Sequence, residues 1–139
     1  MRYLIDTNIL IFALSNQEYY IDKNVYSLLN DYDNTIFVSS SSVFEAVHLY
    51  QTGRIKTSFK TVTDFLKAIK TGFNIQLLHS KTEHFDTFAK LPAVHGHNDP
   101  IDRIIIAQSI TEKIPLISSD SKFKHYKDLD FIYNDKRNG

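Results

Sequence analysis

Short runs of branched and aromatic residues alternate along this chain with longer stretches in which apolar positions recur every three or four residues. Tyr3-Leu4-Ile5, Ile36-Phe37-Val38, Ile75-Gln76-Leu77-Leu78, Leu116-Ile117 and Phe131-Ile132-Tyr133 are the short runs, each bounded by polar residues, and they predict strands. Val62, Phe65, Leu66 and Ile69 fall at i, i+3, i+4 and i+7, which predicts an amphipathic helix with Gly72 as its terminator. Ser42-Val43-Phe44-Glu45 and Ser80-Lys81-Thr82-Glu83 match the capping box, so one helix is expected to run towards Gly53 and another towards Pro92. Asp99-Pro100 places an N-cap acid before the proline favoured at the first helical position. Ile101, Ile104, Ile105 and Ala107 then supply a buried stripe, and Pro115 ends that helix.

Strands separated by helices cannot pair as hairpins. Their connections must cross over, which predicts an α/β fold with a mostly parallel central sheet of four to five strands, flanked by helices on both faces. No repeat, low-complexity tract or Pro/Gly/Ser linker divides the sequence, so residues 1–139 are expected to form one domain. In such a sheet ligands bind beyond the carboxyl ends of the strands.

That rule singles out the acids. Asp6 follows the first strand directly, and Asp120 follows Leu116-Ile117-Ser118-Ser119 in the same way. Glu45 lies on the helix after the second strand with apolar neighbours on both sides, where a carboxylate needs a partner. Asp99 and Asp102 stand three residues apart at the start of their helix, near its positive end. Each has an ordinary explanation as well: Asp6 and Asp99 as helix caps, Asp120 in a turn, Glu45 in the Ser42 capping box, and Asp102 paired with Arg103 or the helix dipole. Those separate explanations do not require that all of these acids reach one edge of one sheet.

Carboxylates crowded together repel, and an ionised cluster needs a cation or protons to neutralise it. The chain has no cysteine, which excludes disulfides, thiolate zinc sites and cysteine nucleophiles and suits a reducing, cytoplasmic setting. An oxygen-only donor set favours Mg2+ or Mn2+ over zinc, and an ion of that kind can activate water and stabilise charge on phosphodiester oxygens. The chemistry so implied is phosphodiester hydrolysis. Sixteen basic and sixteen acidic side chains cancel, so no global field attracts nucleic acid. Positive charge is local, at Arg54, Lys56 and Lys60 and again from Lys122 to Arg137. No apolar run exceeds Ile9 to Leu14, and no membrane anchor or signal peptide is expected.

Four segments together resemble the PIN-domain nucleases, and within them the VapC toxins of bacterial toxin–antitoxin pairs: Leu4-Ile5-Asp6-Thr7-Asn8, Ser42-Val43-Phe44-Glu45, His97-Asn98-Asp99-Pro100-Ile101-Asp102-Arg103-Ile104-Ile105-Ile106-Ala107-Gln108, and Leu116-Ile117-Ser118-Ser119-Asp120. The Asp-Pro-x-Asp-Arg-x-x-x-Ala-Gln block is the most specific. The resemblance implies a Mg2+- or Mn2+-dependent endoribonuclease whose catalytic and metal-holding acids are Asp6, Glu45, Asp102 and Asp120. Asp99 is then an accessory acid, and Thr7, Asn8 and Ser118 support the set by hydrogen bonding. It also implies an antitoxin that blocks the acidic groove, with Ile9, Leu10, Phe12, Tyr19 and Tyr20 as candidate docking residues, and homodimers among relatives. The family often carries His where Asn8 stands and Lys where Leu49 stands.

Three other readings compete with this one. An aspartyl-nucleophile phosphatase would need a second aspartate two residues after Asp6, where Asn8 stands. A non-catalytic PIN-fold module that binds RNA or protein would not require the four acids. His95-Gly96-His97 with Asp99 offers a transition-metal set, although a His-x-His before a helix is usually incidental and His97 also falls at a family position.

Overall fold

A computed structural model describes residues 1–15, 17–71 and 75–136. The elements in chain order are β1 (Arg2–Ile5), α1 (Thr7–Leu14), α2 (Lys23–Asn30), β2 (Thr35–Ser39), α3 (Ser40–Gln51), α4 (Val62–Thr71), β3 (Ile75–Leu78), α5 (Thr82–Ala89), α6 (Pro100–Glu112), β4 (Leu116–Ser118) and β5 (Phe131–Tyr133). Single 3-10 turns at Glu18–Tyr20 and Ser121–His125 complete the described secondary structure. All five predicted strands form. The terminator assigned to Gly72 lies outside the described residues.

The strands build one sheet in the order β3-β2-β1-β4-β5, and every pairing is parallel. From β1 the chain first moves outward through β2 to β3 and later returns to the other side of β1 with β4. The order therefore reverses between β1 and β4, where the following loops part and open a crevice at the strands' carboxyl ends. Leu4 and Ile5 pair with Leu116 and Ile117, so the residues that leave these two strands, Asp6 and Ser118 to Asp120, emerge side by side.

Alternation along the strands feeds two cores. Tyr3, Ile5 and Ile117 face a cluster with Ile9, Leu10, Val25 and Phe65, which seats α1, α2, α3 and α4. Leu4 and Leu116 face the opposite cluster with Ile105, Ile106 and Phe123. Helix α6 is buried continuously from Ile104 to Ser109, beyond the predicted stripe, because it contacts α5 and α3 as well as contributing to the second core. No described helix is long and apolar enough to cross a membrane.

Two caps differ from expectation. β2 passes into α3 with no intervening loop, so the cap falls on Ser39, whose hydroxyl accepts from Ser41 N at 3.1 Å. Ser42 is inside the helix, which removes Glu45 from a capping box. At α5 the N-cap is Lys81, not Ser80, and its N–H donates to His84 Nδ1 at 3.0 Å. That bond leaves the His84 hydrogen on Nε2, 2.9 Å from Glu112 on α6, so one buried ring both caps α5 and ties it to its neighbour.

Candidate active site at the carboxyl edge of the sheet

Asp6 is buried at the end of β1 and caps α1, its Oδ1 accepting from Ile9 N at 3.0 Å. The capping explanation of Asp6 is thus correct. Asp99 caps α6 from an exposed position: one oxygen, Oδ1, accepts from Ile101 N at 2.8 Å and Asp102 N at 3.2 Å. Asp102 follows in the first turn, half-buried. Asp120 sits just beyond β4, with Oδ1 accepting from Lys122 N at 2.9 Å. Glu45 projects from α3, half-buried.

These acids feel one another. Burial first of all raises the Asp6 carboxyl to about 6, with added repulsion from Asp120 and Glu45, while the Ser118 hydroxyl and the Ile9 N–H oppose the rise. Asp102 is pushed up to about 7 by burial and then by Asp99, Asp6, Glu45 and Asp120. Asp102 thus feels the other four acids named from the sequence, and Asp6 feels Asp120 and Glu45. Asp6 and Asp102 hold protons at a pH where ordinary aspartates are ionised, unless a cation replaces them.

The supporting residues divide. Ser118 is buried between two acids: its oxygen accepts from Asp120 N at 3.0 Å, and its hydroxyl stabilises the Asp6 carboxylate. Thr7 is buried and its hydroxyl has no hydrogen-bond partner among the described residues. Asn8 is exposed on the first turn of α1.

His97 is a member of the cluster that the strand-end rule does not reveal. It is 4% exposed, and its Nε2 lies 3.3 Å from Asp102 Oδ2 and 3.7 Å from Asp120 Oδ2 without a hydrogen-bond partner among the described residues. One donor atom from each of His97, Asp102 and Asp120 lies within 4.8 Å of the others. On the ring's other side, Nδ1 is 2.6 Å from the Tyr126 hydroxyl. Burial, the largest influence, pushes His97 below the usual histidine range. His95 is exposed and forms no part of this group, so the His-x-His pattern does not act as a unit. The clue to His97 in the sequence is its position two residues before the Asp99 cap, but its burial depends on Phe123 and Tyr126, far along the chain.

Lys122 brings positive charge to the rim, its Nζ donating to Gly96 O at 3.0 Å. Arg54, Lys56 and Lys60 are exposed elsewhere. A cavity of about 510 Å³, lined by Leu91, Val94, Ile110 and Lys127 among others, shares Tyr126 with the site but contains none of the acids. The donor set in the crevice fits a hard divalent cation: carboxylate oxygens dominate, and two of the acids bind a proton more tightly than ordinary aspartates. Of the docking candidates, Ile9 and Leu10 are fully buried and unavailable, Phe12 and Tyr20 are half-buried, and Tyr19 is exposed.

Comparison with solved structures places the fold. The chain superposes on VapBC2 from Rickettsia felis, solved bound to a DNA fragment from their promoter, with TM-score 0.69 and 21% identity over 97% of this chain and 100% of that one. A toxin–antitoxin complex from Klebsiella pneumoniae matches with TM-score 0.67 and 16% identity, covering 96% of this chain and 98% of that one. VapBC-1 from nontypeable Haemophilus influenzae gives TM-score 0.65 and 17% identity with the same coverage, 96% and 98%. No curated protein matches by sequence. The sequence matches the PIN domain over residues 3–129, nearly its full length, and the chain belongs to the PIN domain family.

Proposed function

We propose that this protein is a Mg2+- or Mn2+-dependent endoribonuclease of the VapC type, the toxin of a toxin–antitoxin pair. The reading is supported by the grouping of His97, Asp102 and Asp120 within 4.8 Å, outside which Asp6, Glu45 and Asp99 fall, and by the influence of Asp6, Glu45, Asp99 and Asp120 on the raised Asp102 carboxyl. Asp6, Glu45, Asp102 and Asp120 hold the ion, with Asp99 as accessory through the oxygen its cap leaves free. When bound, a divalent ion supplies an activated water and neutralises charge on the phosphodiester oxygens. Ser118 fixes the orientation of Asp6 relative to Asp120. The N-termini of α1 and α6 open on the same crevice and favour anions there, and Lys122 offers a cation to an incoming phosphate.

The solved relatives are toxin–antitoxin complexes, which supports a small protein partner that closes the acidic groove. For that partner the exposed ring of Tyr19 is the available anchor among the early-helix candidates. Purified protein incubated with RNA and Mn2+ should produce fragments ending in 5′-phosphate and 3′-hydroxyl, and Asp6→Asn or Asp102→Asn should abolish them while keeping the fold. Uncut RNA, or Asp6→Asn cutting as well as wild type, refutes the enzyme. A protein that binds RNA with no Mn2+ effect on cleavage or stability would instead be a non-catalytic PIN module.

A further inference from the structure

Three side chains behind the acids form a chain of hydrogen bonds whose direction is fixed by chemistry. Arg103 can only donate, and its Nη1 lies 3.0 Å from the Tyr126 oxygen. The guanidinium is held there by Pro92 O at 3.1 Å and Leu91 O at 3.5 Å, and it lies over the rings of Phe88 and Tyr126. With a lone pair of the Tyr126 oxygen occupied by Arg103, the hydroxyl proton is left to donate, and His97 Nδ1 is its partner at 2.6 Å. An Nδ1 that accepts carries no hydrogen. In the neutral ring the hydrogen is then on Nε2, the atom that faces Asp102 and Asp120.

We infer that Tyr126 and Arg103 are positioning residues that hold His97 in the tautomer with its hydrogen on Nε2, so that His97 faces Asp102 and Asp120 as a hydrogen-bond donor and not as a nitrogen ligand. The opposite tautomer would point two donors, Nδ1–H and Arg103, at the Tyr126 oxygen and leave the hydroxyl proton of a residue only 2% exposed without its partner. With its lone pair turned away, His97 leaves the crevice an oxygen-only donor set and disfavours ions that seek imidazole. The inference deepens the metal-dependent reading by assigning what His97 contributes to it; the direction of the hydrogen bonds stands without that reading.

The test is two-dimensional 1H–15N correlation of the histidine ring nitrogens in the full chain, first metal-free and then saturated with Mg2+ alone, at one neutral pH. His97 Nε2 should show the protonated, pyrrole-like signal and Nδ1 the acceptor signal, and Mg2+ should leave that assignment unchanged. Hydrogen on Nδ1 in the metal-free protein, or a switch to it with Mg2+, overturns the inference. Tyr126→Phe should shift the signals towards a mixture of tautomers and raise Ni2+ affinity relative to Mn2+. Should that variant fail to fold, Arg103→Met frees the Tyr126 oxygen to accept and should give the same mixture. An unchanged tautomer in the folded variant refutes the lock. Failure of Mg2+ to move any ring signal of His97, which lies against Asp102 and Asp120, would count against the proposed metal site, whereas the metal-free spectrum judges the tautomer by itself.

Discussion

Asp6 serves two ends that pull against each other. Its Oδ1 caps α1, which stabilises the helix, while its buried charge is costly enough to raise the carboxyl to about 6. Asp6→Asn keeps an oxygen for the cap and removes the charge. At pH 8 without metal this variant should be more stable than wild type, by on the order of 2 kcal/mol, measured by urea unfolding. In saturating Mn2+ the advantage should shrink or reverse. The same logic gives a pH dependence. Asp6 and Asp102 bind protons more tightly folded than unfolded, so metal-free stability should be greatest below about pH 4 as far as these two groups are concerned. It should fall as pH rises through about 6 and about 7, and flatten above. Asp6, Asp99, Asp102 and Asp120 stood out in the sequence because each follows a strand or opens a helix, whereas Glu45 lies well inside α3. His97 was visible only within the His-x-His pair and the family block; its place beside Asp102 and Asp120 was not, because its burial and its hydrogen bond come from Tyr126, brought beside it by the fold.

Helix α6 shows how an element delivers chemistry. Asp99 caps it, Pro100 starts it, Asp102 faces the crevice from its first turn, and Arg103 reaches back to Tyr126. Asp99→Ala should destabilise the fold by about 1 kcal/mol through loss of the cap. Asp99→Asn should be nearly neutral for the fold yet lower the Asp102 carboxyl, since Asp99 is the largest neighbouring charge that raises it. A side-chain carboxyl titration by NMR reads that shift directly. The Asp-Pro signature made this helix readable. The start of α3 was less so, because a run of serines offers several possible caps and the direct passage from β2 into α3 selects Ser39. Helix α2 was not predicted: its eight residues bury only Val25 and Leu29, too few positions to establish a period.

At the scale of the molecule, parallel strands with helical crossovers determine where function can sit. The order β3-β2-β1-β4-β5 sets β1 beside β4, so Asp6 and Asp120, distant in sequence, leave adjacent strands, while α3 and α6 add Glu45, Asp99 and Asp102. On the function proposed above, these acids make the crevice a binding site for a hard divalent cation. Isothermal titration of the metal-free protein with Mn2+, alongside Asp102→Asn, tests it most directly. The account predicts saturable binding to wild type with protons released near neutral pH, and binding by Asp102→Asn weakened at least about tenfold. No saturable heat from wild type, or equal affinity in the two proteins, would contradict it.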